Sequence, residues 1–320
     1  MERLKLGRSG MLVSPVILGA WAFGSQQWGD QPDDSVHIGV VRAALDHGIN
    51  MIDTAHAYGR SEEIVGKAIK GRRDEVLIAT KCSGPPEAMR EQAEMSLARL
   101  GIDCIDLCFI HGPHAATPIA ESVGTIDEMR REGKLRHIGV SNFSIRHHKE
   151  ALATARIDAT QPCYGVLWRA IEHDGLRQWC VENEVAITPF SPLAQGLLTG
   201  KYNAGAALPT DYRSRNLLFQ PGRFERCLEI CDKLAEIGGQ YGKSVAQVAI
   251  NWTAYAPWGV SFPMVGARSP DQVADNAGGV GWRLNDDDWR DISRAGEQAL
   301  DRIDYSLNIW GDSATWGAEP

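Results

Sequence analysis

The chain has 320 residues, 43% hydrophobic and 23% charged, enough apolar material for a sizeable core in one large domain or two ordinary ones. Its formal net charge of −8 excludes the basic footprint of a non-specific nucleic-acid binder. The start lacks the apolar core of a signal peptide and no apolar run is long enough to cross a bilayer, so a cytoplasmic protein without membrane attachment is expected.

Residues 1–13 read as a short hairpin, with Leu4, Leu6, Met11 and Val13 apolar around a Gly7-Arg8-Ser9-Gly10 turn. A strand over 15–19 runs into an aromatic loop with Trp21, Phe23 and Trp28. Asp33-Asp34-Ser35 then opens a helix whose Val36, Val40, Val41, Ala44 and Leu45 recur at helical spacing until Gly48. Strand 50–53 precedes helix 61–69, which has a hydroxyl cap, acidic residues in its first turn and Lys67 later, matching the helix dipole. The alternation continues through strand 76–81 and helix 87–100, strand 104–110 and helix 118–132, and strand 135–140 and helix 144–154. Strand 158–162 and helix 172–184 follow, then strand 185–190. Residues 191–222, rich in Gly, Pro and Asn, form a connection long enough to suggest a function of its own. A helical region over 223–256, broken near Gly238-Gly239, leads to a last strand at 260–265, helices at 270–276 and 285–299, and a tail.

Eight strands alternate with helices in a single run without a linker, and segments such as Val76 to Ala79 are apolar throughout, as strands covered on both faces are. A doubly wound sheet would share the alternation. Polar residues, however, end several successive strands at about 30-residue spacing, one strand plus one crossover helix. Asp53, Lys81, His111 and Ser141 each close such a strand. This favours a single-domain (β/α)8 barrel (TIM barrel), in which all strand ends surround one mouth, over a sheet with one switch point.

Asp53, Tyr58, Lys81 and His111 form a coherent chemical set. An ammonium lowers the pKa of a neighbouring phenol, and a buried lysine needs a counter-ion such as Asp53. His111 can hydrogen-bond a substrate oxygen or relay a proton to Tyr58. The set contains no obvious nucleophile and no carboxylate pair for glycoside hydrolysis, so proton transfer to a carbonyl oxygen suits it, with hydride chemistry left to a cofactor. Taken one at a time, each residue has an ordinary structural reading, as a turn, rim or solvated side chain. No GxGxxG follows any strand, which leaves a Rossmann site unsupported.

From about Leu4 to Asn276 the chain resembles the aldo-keto reductases. The resemblance rests on Gly48-Ile49-Asn50-Met51-Ile52-Asp53-Thr54-Ala55-His56-Ala57-Tyr58-Gly59, Thr80-Lys81, Phe109-Ile110-His111, Gly139-Val140-Ser141-Asn142-Phe143 and Gln161-Pro162. It continues through the run from Ser191-Pro192-Leu193 to Gly200-Lys201 and through Gly266-Ala267-Arg268-Ser269-Pro270. It implies a catalytic tetrad of Asp53, Tyr58, Lys81 and His111, with Tyr58 the general acid in NADPH-dependent reduction of an aldehyde or ketone. It further implies that Ser141, Asn142 and Gln161 hold the nicotinamide carboxamide and that Phe190 stacks on the ring, where the family usually has Tyr. Ser191, Leu193, Gln195 and Lys201 would then wrap the pyrophosphate. Gly266, Ala267, Arg268, Gln272 and Asn276 would hold the adenosine end, with Arg268 on a 2′-phosphate. Trp21 matches a pocket aromatic of the family.

His56 and His114 are expected to line the substrate pocket or to lie exposed, and Trp28, Trp168, Trp310 and Trp316 to serve as pocket wall, oligomer contact or packing. The Trp and His residues near the mouth point to a sugar or sugar-derived carbonyl. The tail over 301–320, with Tyr305, Ile309, Trp310 and Trp316, carries too many aromatics for a solvated tail, and the resemblance implies that it folds over the mouth and shapes substrate choice. Seven cysteines without a CxxC pair read as structural thiols, and no metal site is expected. Two other functions share parts of this pattern: a cofactor-sensing binding subunit, as in the family's channel-associated branch, and a barrel isomerase or lyase using Tyr58 and Lys81, which would leave the cofactor motifs unexplained. The partner expected is a small-molecule carbonyl substrate, with no nucleic acid.

Overall fold

The computed structural model describes residues 1–29, 32–299, 304 and 308–311. A hairpin of β1 (Leu4–Lys5) and β2 (Leu12–Val13) precedes β3 (Ile17–Gly19), α1 (Asp34–Asp46), β4 (Met51–Asp53) and α2 (Ser61–Ile69). Then come β5 (Leu77–Cys82), α3 (Pro86–Leu100), β6 (Ile105–Ile110), α4 (Ile119–Arg131), β7 (Leu135–Ser141), α5 (Ile145–Thr154) and β8 (Ala159–Gln161). The remainder is α6 (Ala170–His173), α7 (Leu176–Glu182), β9 (Ala186–Ile187), α8 (Arg223–Tyr241), α9 (Val245–Ala254), β10 (Tyr255–Ala256), β11 (Gly259–Val260), β12 (Met264–Gly266), α10 (Pro270–Ala277) and α11 (Asp286–Ala299).

Eight strands pair in parallel in the order β12-β3-β4-β5-β6-β7-β8-β9. The ends of this order meet as well. Phe262 N donates to the Ile187 carbonyl and Met264 N to the Pro189 carbonyl, both at 2.9 Å, which closes the sheet into a (β/α)8 barrel. Because parallel strands are covered on both faces, the core divides in two. Ile17, Met51, Ala79, Leu107, Phe109, Ala159 and Met264 fill the barrel interior, while a larger apolar layer lies between the sheet and its helices. Leu6, Met11 and Val13 of the hairpin belong to the interior cluster and form its floor. Asn50, at the start of β4, ties that floor down: its side chain accepts from Ser14 N at 2.8 Å and donates to the Leu12 carbonyl at 2.9 Å.

Glycine fixes one interior contact. A β-carbon on Gly139 in β7 would lie 2.4 Å from the Phe109 ring, so the strand beside Phe109 has room for no side chain there. Helix starts follow the expected polar caps. The side chains of Asp33, Ser144, Ser244 and Ser269 accept from backbone N–H groups in the first turns of α1, α5, α9 and α10. Each such cap contributes about 1 kcal/mol.

Three boundaries differ from expectation. The region 223–256 breaks at Gly242 (φ 64°) rather than at Gly238-Gly239, because α8 runs on to Tyr241 with Gly238 packed against the Lys243 carbonyl. The span 260–265 is not one strand. Val260 pairs with Tyr255 in an antiparallel hairpin, and only 264–266 join the barrel. The helix at 172–184 is two pieces, divided at Gly175, whose φ of 84° interrupts the spiral. Among the described residues no helix is long and apolar enough to cross a membrane.

Candidate active site

A cavity of about 620 Å³ opens at the C-terminal ends of the barrel strands. That is the end at which enzymes of this architecture carry their sites. Asp53 ends β4 and Lys81 lies near the end of β5, on adjacent parallel strands, so their side chains meet inside the barrel mouth. Lys81 Nζ donates to Asp53 Oδ1 at 2.5 Å and to the Thr54 carbonyl at 2.8 Å. Gln161 Nε2, from the end of β8, donates to the other Asp53 oxygen at 2.9 Å. Tyr58 comes from the loop after β4, and Lys81 Nζ lies 4.7 Å from its ring centroid. The His111 ring, just beyond β6, stands edge-on to Tyr58 at 5.7 Å.

The electrostatics follow from burial. Desolvation raises the pKa of Tyr58, against the opposing pull of Lys81, so the phenol is protonated at neutral pH. The lysine acts with the expected sign, but burial outweighs it. Lys81 itself, although burial disfavours its charge, is raised by Asp53 and Tyr58 and stays an ammonium. Burial likewise raises Asp53, while Lys81 and Gln161 pull it back. His111 is pushed down to about 3 by burial and by Lys81, so its imidazole is neutral and serves as a hydrogen-bonding group. Removing either partner of the buried Lys81–Asp53 pair would strand a charge, at a cost on the order of 3–5 kcal/mol.

From this centre the cavity extends as a trough along the strand ends. Ser141, Asn142 and Gln161 line it beside Asp53; Ser141 Oγ donates to the Gln161 carbonyl at 2.8 Å, and Asn142 Nδ2 to the His111 carbonyl at 3.0 Å. Phe190, Ser191, Leu193, Gln195 and Lys201 continue the lining, followed by Gly266, Ala267, Arg268, Gln272 and Asn276. Gln272 Oε1 accepts from Arg268 N at 2.7 Å and Asn276 Nδ2 donates to the Gly266 carbonyl at 3.2 Å, fixing the turn that enters α10. Asn142, Ser191 and Gln195, which line this trough, take positive φ (58°, 56° and 56°), as does Ala194 (47°) just behind Gln195 in the chain. Left-handed backbone at four non-glycine residues is strain that concentrates where a ligand is held.

The trough fits an extended polyanion. Among the described residues Gln195 Nε2 is buried with no hydrogen-bond partner, a donor in want of an acceptor. Lys201, Arg213 and Arg268 bring positive charge to the trough lining, and Lys201 is lowered by burial and then by the two guanidiniums. Crowded cations of this kind suit the phosphates of a dinucleotide.

Aromatic rings crowd the cavity beside Tyr58, and the Arg213 guanidinium lies 5.8 Å from the Trp28 ring. Trp21 packs within 6.0 Å of Trp28, Tyr212 and Trp310 and stacks beside Tyr58 at 5.9 Å. Trp310 lies parallel to Phe190 at 6.1 Å, and Leu217 N donates to the Ile309 carbonyl at 2.9 Å, so residues 308–311 lie at the mouth. Tyr305 and Trp316 lie outside the described residues.

His56 and His114 are corrections: neither lines the cavity. His56 turns outward to Arg99, and His114 Nδ1 pairs with Thr117 Oγ1 at 2.8 Å. Trp168 is buried at a turn away from the cavity. The sequence reading missed Gln27, Tyr212 and Arg213, which do line it. Gln27 Oε1 accepts from Trp21 Nε1 at 3.0 Å, and Arg213 pairs with Asp211 at 2.6 Å. The one signal for the last two was the excess length of the 191–222 connection.

A family model described as the aldo/keto reductase family matches residues 15–297. The Bacillus subtilis aldo-keto reductase YhdN is 37% identical over 317 residues, 94% of this chain and 95% of that one. An NADH-specific methylglyoxal reductase of Escherichia coli is 32% identical, covering 94% of this chain and all of its own length (100%). Among solved structures, the glycerol dehydrogenase AKR11B4 of Gluconobacter oxydans superposes with a TM-score of 0.84 at 34% identity, over 92% of this chain and 95% of that one. A Klebsiella pneumoniae aldo/keto reductase in complex with NADP and acetate gives 0.73 at 26% identity, over 92% and 95%.

Proposed function

The chain belongs to the aldo/keto reductase family, oxidoreductases acting on carbonyl groups, and we propose that it uses NADPH to reduce a small aldehyde or ketone with Tyr58 as proton donor. The observation that carries this reading is the protonated Tyr58 phenol against the Lys81 ammonium, at one end of a trough suited to a dinucleotide.

Bound NADPH supplies the hydride that reduces the carbonyl carbon. The phenol of Tyr58 gives its proton to the carbonyl oxygen as negative charge develops there. Lys81 stabilises the phenolate left behind, and Asp53 keeps Lys81 charged inside the barrel. Neutral His111 donates a hydrogen bond to the same oxygen and orients the carbonyl. Gln161 spends its amide N–H on Asp53, which leaves its oxygen to accept from a carboxamide. Arg268, just ahead of the Ser269 cap of α10, would contact a 2′-phosphate, with Lys201 on the pyrophosphate. The relatives named for glycerol and methylglyoxal support small oxygenated carbonyls as substrates, sugar-derived ones included.

The test is Tyr58→Phe. Turnover with a panel of aldehydes, ketones and sugars should fall by at least about 100-fold, the contribution of a positioned acid. NADPH binding, followed by quenching of tryptophan fluorescence, should persist. Retained turnover would refute Tyr58 as the acid.

A further inference from the structure

The loop over 54–60, which carries Tyr58, contains no helix or strand; two turns (Tyr58 N to the Ala55 carbonyl at 3.0 Å, Ser61 N to the Tyr58 carbonyl at 3.1 Å) and a bond from His56 N to the Lys81 carbonyl at 3.1 Å shape it from within, and neighbouring side chains hold it from outside. On the side away from the cavity it meets Arg99, one residue before the end of α3. Arg99 Nη1 donates to the His56 carbonyl at 3.3 Å, lies 3.2 Å from His56 Nδ1, and pairs with Glu62 Oε2 at 3.3 Å. Glu62, in the first turn of α2, is 1% exposed, and its other oxygen accepts from Thr80 Oγ1 at 2.6 Å. Thr80 immediately precedes Lys81 on β5. One guanidinium thus joins the backbone two residues before Tyr58 to a carboxylate anchored next to Lys81.

The two helices approach closely enough to allow this. A β-carbon on Gly66 of α2 would lie 2.8 Å from the Arg99 carbonyl, so any larger residue would push α3 and its arginine away. A buried carboxylate such as Glu62 is tolerated only when paired and hydrogen-bonded, and its two oxygens are answered by Arg99 and Thr80. The mechanism above makes no use of this network.

We propose that Arg99 is a positioning residue for the proton donor: by clamping the His56 carbonyl to Glu62 it sets how far the Tyr58 hydroxyl stands from Lys81 and from the reacting carbonyl. The inference rests on Tyr58 being the acid. A displacement of about 1 Å at a reacting group costs on the order of 100-fold in rate, so a clamp outside the cavity can govern turnover without touching substrate.

The test compares Arg99→Met, which keeps the apolar stem, with Arg99→Lys, which restores one cation. Arg99→Met should lower kcat by about 10- to 100-fold with KM and the NADPH Kd changed less than about twofold, and Arg99→Lys should recover part of the loss. A second readout separates positioning from mere loosening of the fold. Tyr58 faces Lys81, Asp53, His111 and Tyr212, and of these Lys81 favours the phenolate. A Tyr58 that drifts from Lys81 ionises at higher pH, so the pH profile of alcohol oxidation should move in the alkaline direction in Arg99→Met. A kcat within twofold of the parent, or an unshifted profile, overturns the proposal. So does a loss of NADPH binding equal to the loss of kcat, and so does an Arg99→Met chain that fails to fold alongside a fully active Arg99→Lys. Tyr58→Phe measured in parallel keeps the two readings apart: an active Tyr58→Phe removes the acid itself, whereas an inactive one beside an unaffected Arg99→Met removes only the clamp.

Discussion

On the proposed reading Arg268 would bear the cofactor choice, because a guanidinium recognises a phosphate with charge and paired donors at once. Its backbone is fixed by Gln272, so truncation removes the side chain without freeing the turn. Arg268→Ala should weaken NADPH binding about 10- to 100-fold, the worth of a charge-assisted hydrogen bond, and leave NADH nearly unchanged. Titrating both cofactors against the variant measures this; equal losses would contradict a 2′-phosphate contact. At this scale, much of the candidate site was legible. Asp53, Lys81, His111 and Ser141 could be found because a barrel places strand ends together and the sequence repeats a polar residue at each end. The direction of a loop side chain carries no such period. His56 sits two residues from Tyr58 yet points to α3, and nothing in its neighbours announces the turn.

At the scale of elements, β6 and β7 illustrate how a motif can have a packing cause. In the Gly139-Val140-Ser141-Asn142 run the last two residues line the cavity, whereas the glycine is dictated by Phe109 across the ladder. A methyl group at 139 would meet the ring at 2.4 Å in the closed interior. Gly139→Ala should therefore cost about 1–3 kcal/mol, the usual penalty of overpacking. Phe109→Leu in the same chain should return part of it, because the two changes share one volume. Urea unfolding of the single and double variants decides this, and additive effects would argue against the clash. Long strands and helices were readable from periodicity, whereas β12 was not. Three residues of ladder give no alternation, and Val260, apolar and four residues earlier, belongs to a separate hairpin on the surface. Tyr212 and Arg213 escaped for a related reason: a single turn of 3-10 helix inside a long connection has no pattern to read.

For the whole molecule, folding leaves several histidines neutral in places that resist a proton. His148 is lowered to about 4, chiefly by burial; its two ring nitrogens pair with the Ser144 carbonyl and Thr160 Oγ1, both at 2.8 Å. His111 is lowered to about 3, and His37, His56 and His147 shift the same way, all chiefly by burial. The unfolded chain takes up these protons near pH 6.5 while the native one does not. Stability should accordingly rise with pH between about 4 and 6.5 and fall on acidification through that range. For His148 the loss at pH 5 relative to pH 7.5 is on the order of 1–2 kcal/mol. Urea midpoints at the two pH values, with His148→Gln narrowing the gap, would establish it; equal midpoints would reject it.

The hairpin that floors the barrel also fixes the polarity of the molecule. Met1 rests against Gly48, just ahead of β4 at the closed end, while Trp310 stands at the rim of the cavity. A bead, dye or fusion partner joined ahead of Met1 therefore hangs on the side away from the entrance, and one attached beside Trp310 stands in the doorway.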